Sequence, residues 1–261
     1  MSELRKLRGG DVPPPILYGL YGTRTLGEPL MSKILFVVTG TDHWTLADGT
    51  KHPTGFWAEE AVAPYQAFKA AGHEIVVATP GGVVPTVDKG SLAPAVNGGE
   101  EGAAEIAAAL ASFTELQSPI RLEDVNLDDY AAVFYPGGHG PMEDLAVDAT
   151  SGKVLSLALE SGKPLGVVCH GPAALLAATK ADGTNSFRGY DVAAFTNEEE
   201  TQGGFADKAK WLLQDRLTEA GVNVKAGEPW APNVVVDRNL VTGQNPASSA
   251  PLAAELLKKL A

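Results

Sequence analysis

Apolar residues in this chain fall in short unbroken runs rather than in strict alternation with polar ones. Runs at 34–38, 74–78, 131–135, 165–168 and 191–195 are of strand length. A strand that is apolar at nearly every position is buried on both faces, which predicts a parallel sheet with helices on either side. Longer stretches lie between and after the runs. Those at 55–71, 102–111, 142–160, 172–179, 205–220 and 247–260 read as helices, and short strands are predicted at 222–225, 234–236 and 240–242. This alternation defines an α/β chain with a mostly parallel central sheet. The segment 81–122 is the least regular. Its Asp88-Lys-Gly-Ser and Asn97-Gly-Gly-Glu stretches are rich in turn formers, so it reads as an insertion carrying one helix.

Residues 1–30 have a different texture, with three consecutive prolines at 13–15 and no helical or strand period. Met31-Ser32-Lys33 then leads directly into the first apolar run. The expected organisation is an N-terminal extension, disordered or laid across the surface, followed by a single domain over 31–261.

In sheets of this kind ligands bind beyond the carboxyl ends of the strands. Three such ends carry distinctive residues: Thr39-Gly-Thr-Asp-His43, Pro136-Gly137-Gly138-His139-Gly140 and Cys169-His170-Gly171-Pro172. They are expected to converge on one pocket. Cys169 is the only cysteine in 261 residues, and it stands where a strand turns sharply into an alanine-rich stretch. That placement predicts a nucleophile elbow, with a helix N-terminus and the adjacent His170 favouring the thiolate.

Composition narrows the chemistry. Thirty-two acidic residues against 20 basic ones give a net charge of -12 with no basic cluster, which argues against nucleic acid as a partner. One cysteine excludes an intrachain disulfide. No stretch approaches the roughly 18 apolar residues of a bilayer span, and the N-terminus lacks a signal-type apolar region, so a cytoplasmic protein without membrane partners is expected.

A cysteine that attacks a carbonyl needs donors for the resulting oxyanion, and glycine can aim its amide without a side chain in the way. The N–H groups of Gly138 and His170 are the candidates, with His139 beside them as a substrate-binding residue. Glu60 falls on the apolar stripe of its predicted helix with Phe56, Trp57, Ala63, Pro64 and Ala67, whereas Glu59 faces Gln66. A carboxylate inside such a stripe is costly unless protonated or partnered, so burial would mark Glu60 as a tuned acid–base group. The five histidines are His43, His52, His73, His139 and His170. None follows Cys169 at a distance, so the distal base of papain-like peptidases and class I glutamine amidotransferases is missing. No common zinc spacing occurs, and neither a metal nor another cofactor is expected.

Taken together, Thr54-Gly-Phe-Trp-Ala-Glu-Glu60, Phe134-Tyr-Pro-Gly-Gly-His-Gly140, Val168-Cys-His-Gly-Pro172 and Gly243-Gln-Asn-Pro-Ala-Ser248 resemble the PfpI superfamily, the amidotransferase-like group that includes the Parkinsonism-associated deglycase. Within it the likeness is to the heat-shock branch with glutathione-independent glyoxalase III activity, and it runs from Ser32 to the C-terminus. The resemblance implies a flavodoxin-like three-layer sandwich, a small aldehyde as substrate and a homodimer. It places the elbow nucleophile on Cys169, the neighbouring histidine on His170, the elbow-facing glutamate on Glu60 and the acidic third member of the triad on Glu200. By composition alone, Glu198-Glu199-Glu200 reads as a solvated loop. The histidine–glutamate–histidine metal site of some bacterial chaperones in this group has no convincing counterpart in the sequence. A holdase chaperone, or a cysteine peptidase or amidase, are the alternative functions.

Overall fold

The computed structural model describes residues 31–261; the expected N-terminal extension lies outside the described residues. The strands in chain order are β1 (Lys33–Val37), β2 (His43–Thr45), β3 (Lys51–Pro53), β4 (Glu74–Thr79), β5 (Ile120–Arg121), β6 (Ala132–Tyr135), β7 (Leu165–Val168), β8 (Asp191–Val192), β9 (Asn223–Val224), β10 (Val234–Asp237) and β11 (Leu240–Gly243). The helices are α1 (Ala58–Ala70), α2 (Glu100–Ser112), α3 (Gly140–Glu143), α4 (Ala149–Glu160), α5 (Asn197–Gln202), α6 (Leu213–Glu219) and α7 (Ser249–Lys258). Seven strands form the central sheet in the order β10-β11-β7-β6-β1-β4-β5. Every pairing in it is parallel except β10 with β11. The mostly parallel sheet is the one that the apolar runs predict, and the fold is the α/β flavodoxin-like sandwich that the resemblance implies.

Period-two alternation along β6 shows the layers. The Phe134 ring meets Phe36 and the α1 residue Phe68 on one face. The next residue, Tyr135, turns to the other face and bonds Ser151 of α4 through its hydroxyl at 3.1 Å. Helices α1 and α7 pack together, and α4 packs on the 3-10 segment Gly171–Ala177. From β1 the chain moves outward through β4 to β5, and from β6 it moves the opposite way through β7 to β11. The order therefore reverses between β1 and β6, and the crevice beyond their carboxyl ends is where the site lies.

Several elements depart from the sequence expectation, each for a local reason. The expected helix at 142–160 is two helices. Asp144 breaks it by accepting from Thr39 Oγ1 at 2.8 Å and the Gly40 N–H at 2.7 Å, and Asp148 caps α4 by accepting from the Ser151 N–H. The strand expected over 191–195 is not part of the central sheet. Only Asp191–Val192 is extended, paired with β9, while the Ala193 N–H turns to Thr242 Oγ1 and the Phe195 N–H to the Cys169 carbonyl. The helix expected over 205–220 shrinks to α6, leaving Phe205 free to pack elsewhere. The segment 81–122 forms a wall rather than a detached insertion: its Val87 bridges Phe56, and Ser91 Oγ accepts from the first helical amide of α1. The β2–β3 hairpin and the short edge strand β5 carry no apolar run and were not expected. Among the described residues no helix is long and apolar enough to cross a membrane.

Candidate active site

Cys169 follows the last residue of β7 with φ of 60°, a left-handed conformation that costs energy for a residue with a Cβ. The strain is held from both sides. Its N–H donates to the Gly243 carbonyl at 2.8 Å, and its carbonyl accepts from the Phe195 N–H at 2.9 Å. The side chain is 4 % exposed and lies 3.4 Å from His170 Nδ1. The elbow geometry expected of the sequence is present, but its electrostatics differ. The following segment is a 3-10 turn rather than an α-helix, and burial together with the facing Glu60 pushes the Cys169 thiol well up, against the smaller opposing effect of the Gly138 amide.

Glu60 is fully buried in the first turn of α1, while Glu59 beside it is half-buried, as the apolar stripe predicts. The Gly137 N–H donates to Glu60 Oε2 at 2.8 Å. Burial pushes the carboxyl up to about 8, opposed by the Cys169 thiol and the Gly137 amide. Four residues further along the helix, Pro64 lacks the N–H that would reach the Glu60 carbonyl.

Why two glycines stand at 137 and 138 is clear from what a side chain would meet. A Cβ at 137 would sit 2.7 Å from Glu60 Oε2, from the His170 nitrogen and from the Val168 carbonyl oxygen. At 138 the backbone has φ of 84°, and a Cβ would fall 2.4 Å from the Gly55 carbonyl oxygen. The loop is pressed between α1 and the elbow, with the Gly138 amide turned to the sulfur.

The three consecutive glutamates have three separate fates. Glu198 is exposed, bonded only to Gln202 on its own helix. Glu199 is buried and structural: it closes a capping box with Thr196 and accepts from the Trp230 N–H and Asn245 Nδ2 at 2.9 and 2.8 Å. Glu200 faces the site, with Oε2 2.7 Å from His170 Nε2 and Oε1 2.9 Å from His139 Nε2. Burial alone would raise its pKa, but His170 and His139 outweigh burial and hold the carboxyl well below the usual range. The run is a short helix, α5, rather than the solvated loop its composition suggests.

Cys169, His170, Gly138, His139 and Glu200 open onto a common cavity of about 280 Å³ closed by Trp57, Val96, Phe195, Phe205 and Trp230. A second hollow of about 500 Å³ adjoins it across Trp57, Val96, His139 and Phe205 and reaches His52 and Asp88. Trp44, Phe205 and Trp230 escaped the sequence reading. Trp44 stacks on His139 at 4.4 Å and 10°, and Trp230 sits at φ of 62° with its indole N–H on Gln202. Nothing in the sequence around them marked these aromatic residues as site-lining. Among the described residues, His139, His170 and Glu200 alone bring three ligand-type atoms within 4.8 Å of one another. Each imidazole presents its Nε2 to one oxygen of the Glu200 carboxylate.

Residues 53–259 match the DJ-1/PfpI family, and the chain belongs to it. Among curated proteins it is 28% identical over 228 residues to a protein/nucleic acid deglycase, HchA, of Staphylococcus aureus, a match covering 83% of this chain and 76% of that one. It is 37% identical over 141 residues to the glutamine amidotransferase-like class 1 domain-containing protein 1 of Bos taurus; this chain spans 64% of that protein's length. Among solved structures, the glyoxalase III of Candida albicans superposes with a TM-score of 0.76 at 27% identity, covering 87% of this chain and 97% of that one.

Proposed function

We propose that the protein is a glutathione-independent glyoxalase that converts methylglyoxal to lactate with Cys169 as nucleophile. The observation that carries this reading is a thiol and a carboxylate-held imidazole meeting on one small, mostly apolar cavity, with the buried Glu60 carboxyl against the thiol. The thiol adds to the aldehyde carbon as His170 Nδ1, 3.4 Å from the sulfur, takes its proton. The hemithioacetal oxygen is met by the amides of Gly138 and His170. Proton transfer through an enediol then gives a thioester, and water releases lactate. Glu200 holds the His170 ring in the tautomer that leaves Nδ1 free for the thiol. Glu60 stays protonated near neutral pH and serves as a donor beside the sulfur.

The same addition chemistry extends to aldehyde adducts on amines, and the deglycase name of the staphylococcal relative supports testing them as second substrates. Glutamine is a poor fit, because an amide leaving group needs a distal acid that no histidine after His170 supplies. The test is methylglyoxal consumption without glutathione, read as lactate, for the wild type and Cys169→Ala. Lactate from the first alone supports the reading. Equal turnover by the Ala variant removes the nucleophile, and suppression of client aggregation by both proteins without any turnover would favour a holdase.

A further inference from the structure

Two protons must move during the reaction proposed above, and the site offers each a different carrier. The thiol proton has His170 Nδ1 as its acceptor. The proton on the aldehyde carbon needs a second base. Glu60 is already protonated, and Glu200 is turned away, both of its oxygens being bonded to imidazole Nε2 atoms. His139 is the group that remains. Because Glu200 is a carboxylate, each Nε2 facing it must carry the hydrogen, so a neutral His139 bears its lone pair on Nδ1. Burial and the neighbouring His170 lower the His139 pKa, which keeps the ring neutral. Nδ1 of His139 has no hydrogen-bond partner among the described residues. The ring is fixed by its stack on Trp44 and by the adjacent His170, 4.2 Å away between centroids, and it lines the cavity that holds Cys169.

We infer that His139 is a second catalytic histidine, the base that carries the substrate's carbon-bound proton from C1 to C2 while His170 handles the sulfur. This role rests on the glyoxalase reading. After the S–C1 bond forms and the aldehyde oxygen takes the thiol proton, His139 Nδ1 removes the C1 hydrogen as a proton. The electron pair left behind makes the C1–C2 double bond, and the C2 carbonyl becomes an enediolate oxygen. Collapse reforms a carbonyl at C1 as its hydroxyl proton passes to the oxygen on C2, and His139 returns its proton to C2. C1 is thereby oxidised to a thioester and C2 reduced to an alcohol, with no outside oxidant. Water then adds to the thioester, the C–S bond breaks, and the thiol proton is restored. Glu200 joins the two bases, so the charge that each ring gains in turn is met by one shared carboxylate.

The test uses the full chain with methylglyoxal and its C1-deuterated form. For the wild type we expect lactate that keeps part of the deuterium at C2, because an imidazole returns the one proton it took. For His139→Gln we expect turnover to fall by about 10²-fold or more, the range of general-base catalysis, and the C1 isotope effect to become larger. The rate of Cys169 alkylation should stay within about twofold of wild type, since its own partners are untouched. Free imidazole should restore part of the rate of His139→Ala, which guards against a variant that is merely misfolded. A His139→Gln enzyme with unchanged turnover and isotope effect overturns the inference while leaving the glyoxalase reading intact. So does a loss explained wholly by slower alkylation, or complete wash-out of deuterium in the wild type. Absence of lactate from the wild type overturns the glyoxalase reading itself, and this role with it.

Discussion

Glu60 and Glu200 are both buried glutamates in the first turn of a helix, yet the structure puts them in opposite protonation states. Glu60 meets a thiol and one amide in an apolar stripe, and burial drives its carboxyl up to about 8. Glu200 meets two imidazole N–H groups and is held well down. Burial acts on both in the same direction, so the partner decides the sign. One site thus holds an acid and an anion made from the same side chain.

The first way to break this comparison is to remove what Glu60 faces. Cys169→Ala is expected to abolish lactate formation, measured against the reaction without enzyme, while near-ultraviolet dichroism stays native. Next comes Glu200→Gln. A neutral amide can accept from one imidazole only by donating to the other, so one ring takes the wrong tautomer, and turnover should fall by about 10³-fold or more, as mis-set tautomers do in catalytic triads. Retained turnover would show that neither ring needs the carboxylate.

Glu60→Gln should lower turnover by about 10²-fold, and it has a second readout. Folded Glu60 titrates near 8, above its value of about 4.5 in the unfolded chain. Its contribution to stability is therefore fully present below pH 4.5 and is lost as pH rises toward 8, at about 1.4 kcal/mol per pH unit within that window. The Gln variant should lose this slope, so its melting temperature should gain on the wild type more at pH 8 than at pH 5. An identical slope in the two proteins would place the proton elsewhere. Smallest of all is Glu59→Gln, half-buried one position away; turnover within about twofold of wild type would sharpen the contrast between neighbours.

Much of this was readable before the structure, and for identifiable reasons. Apolar runs locate β1, β4, β6 and β7 because those strands are covered on both faces. Cys169 and the glycine pair are legible because sharp turns at strand ends demand particular residues. The position of Glu60 follows from helical period alone. Glu199 and Glu200 could not be separated by composition, since their difference lies in which way a six-residue helix faces. Trp44 and Phe205 were invisible because one sits on a three-residue hairpin strand and the other fell in an expected helix, and each reaches the site only through tertiary contacts. The helix-end activation expected of the thiol meets a short 3-10 turn instead of an α-helix, and burial and the facing carboxyl oppose it.

The backbone of Cys169 is tied to two segments remote in sequence, at Gly243 and Phe195. Local fraying at any one loop leaves the other tie in place. For a thiol reagent too bulky to enter the cavity, labelling should then require opening of the sheet itself, and its rate at rising denaturant should follow the global unfolding equilibrium rather than a local one. As the only cysteine in the chain, Cys169 would serve as a built-in gauge of how often the whole native structure comes apart.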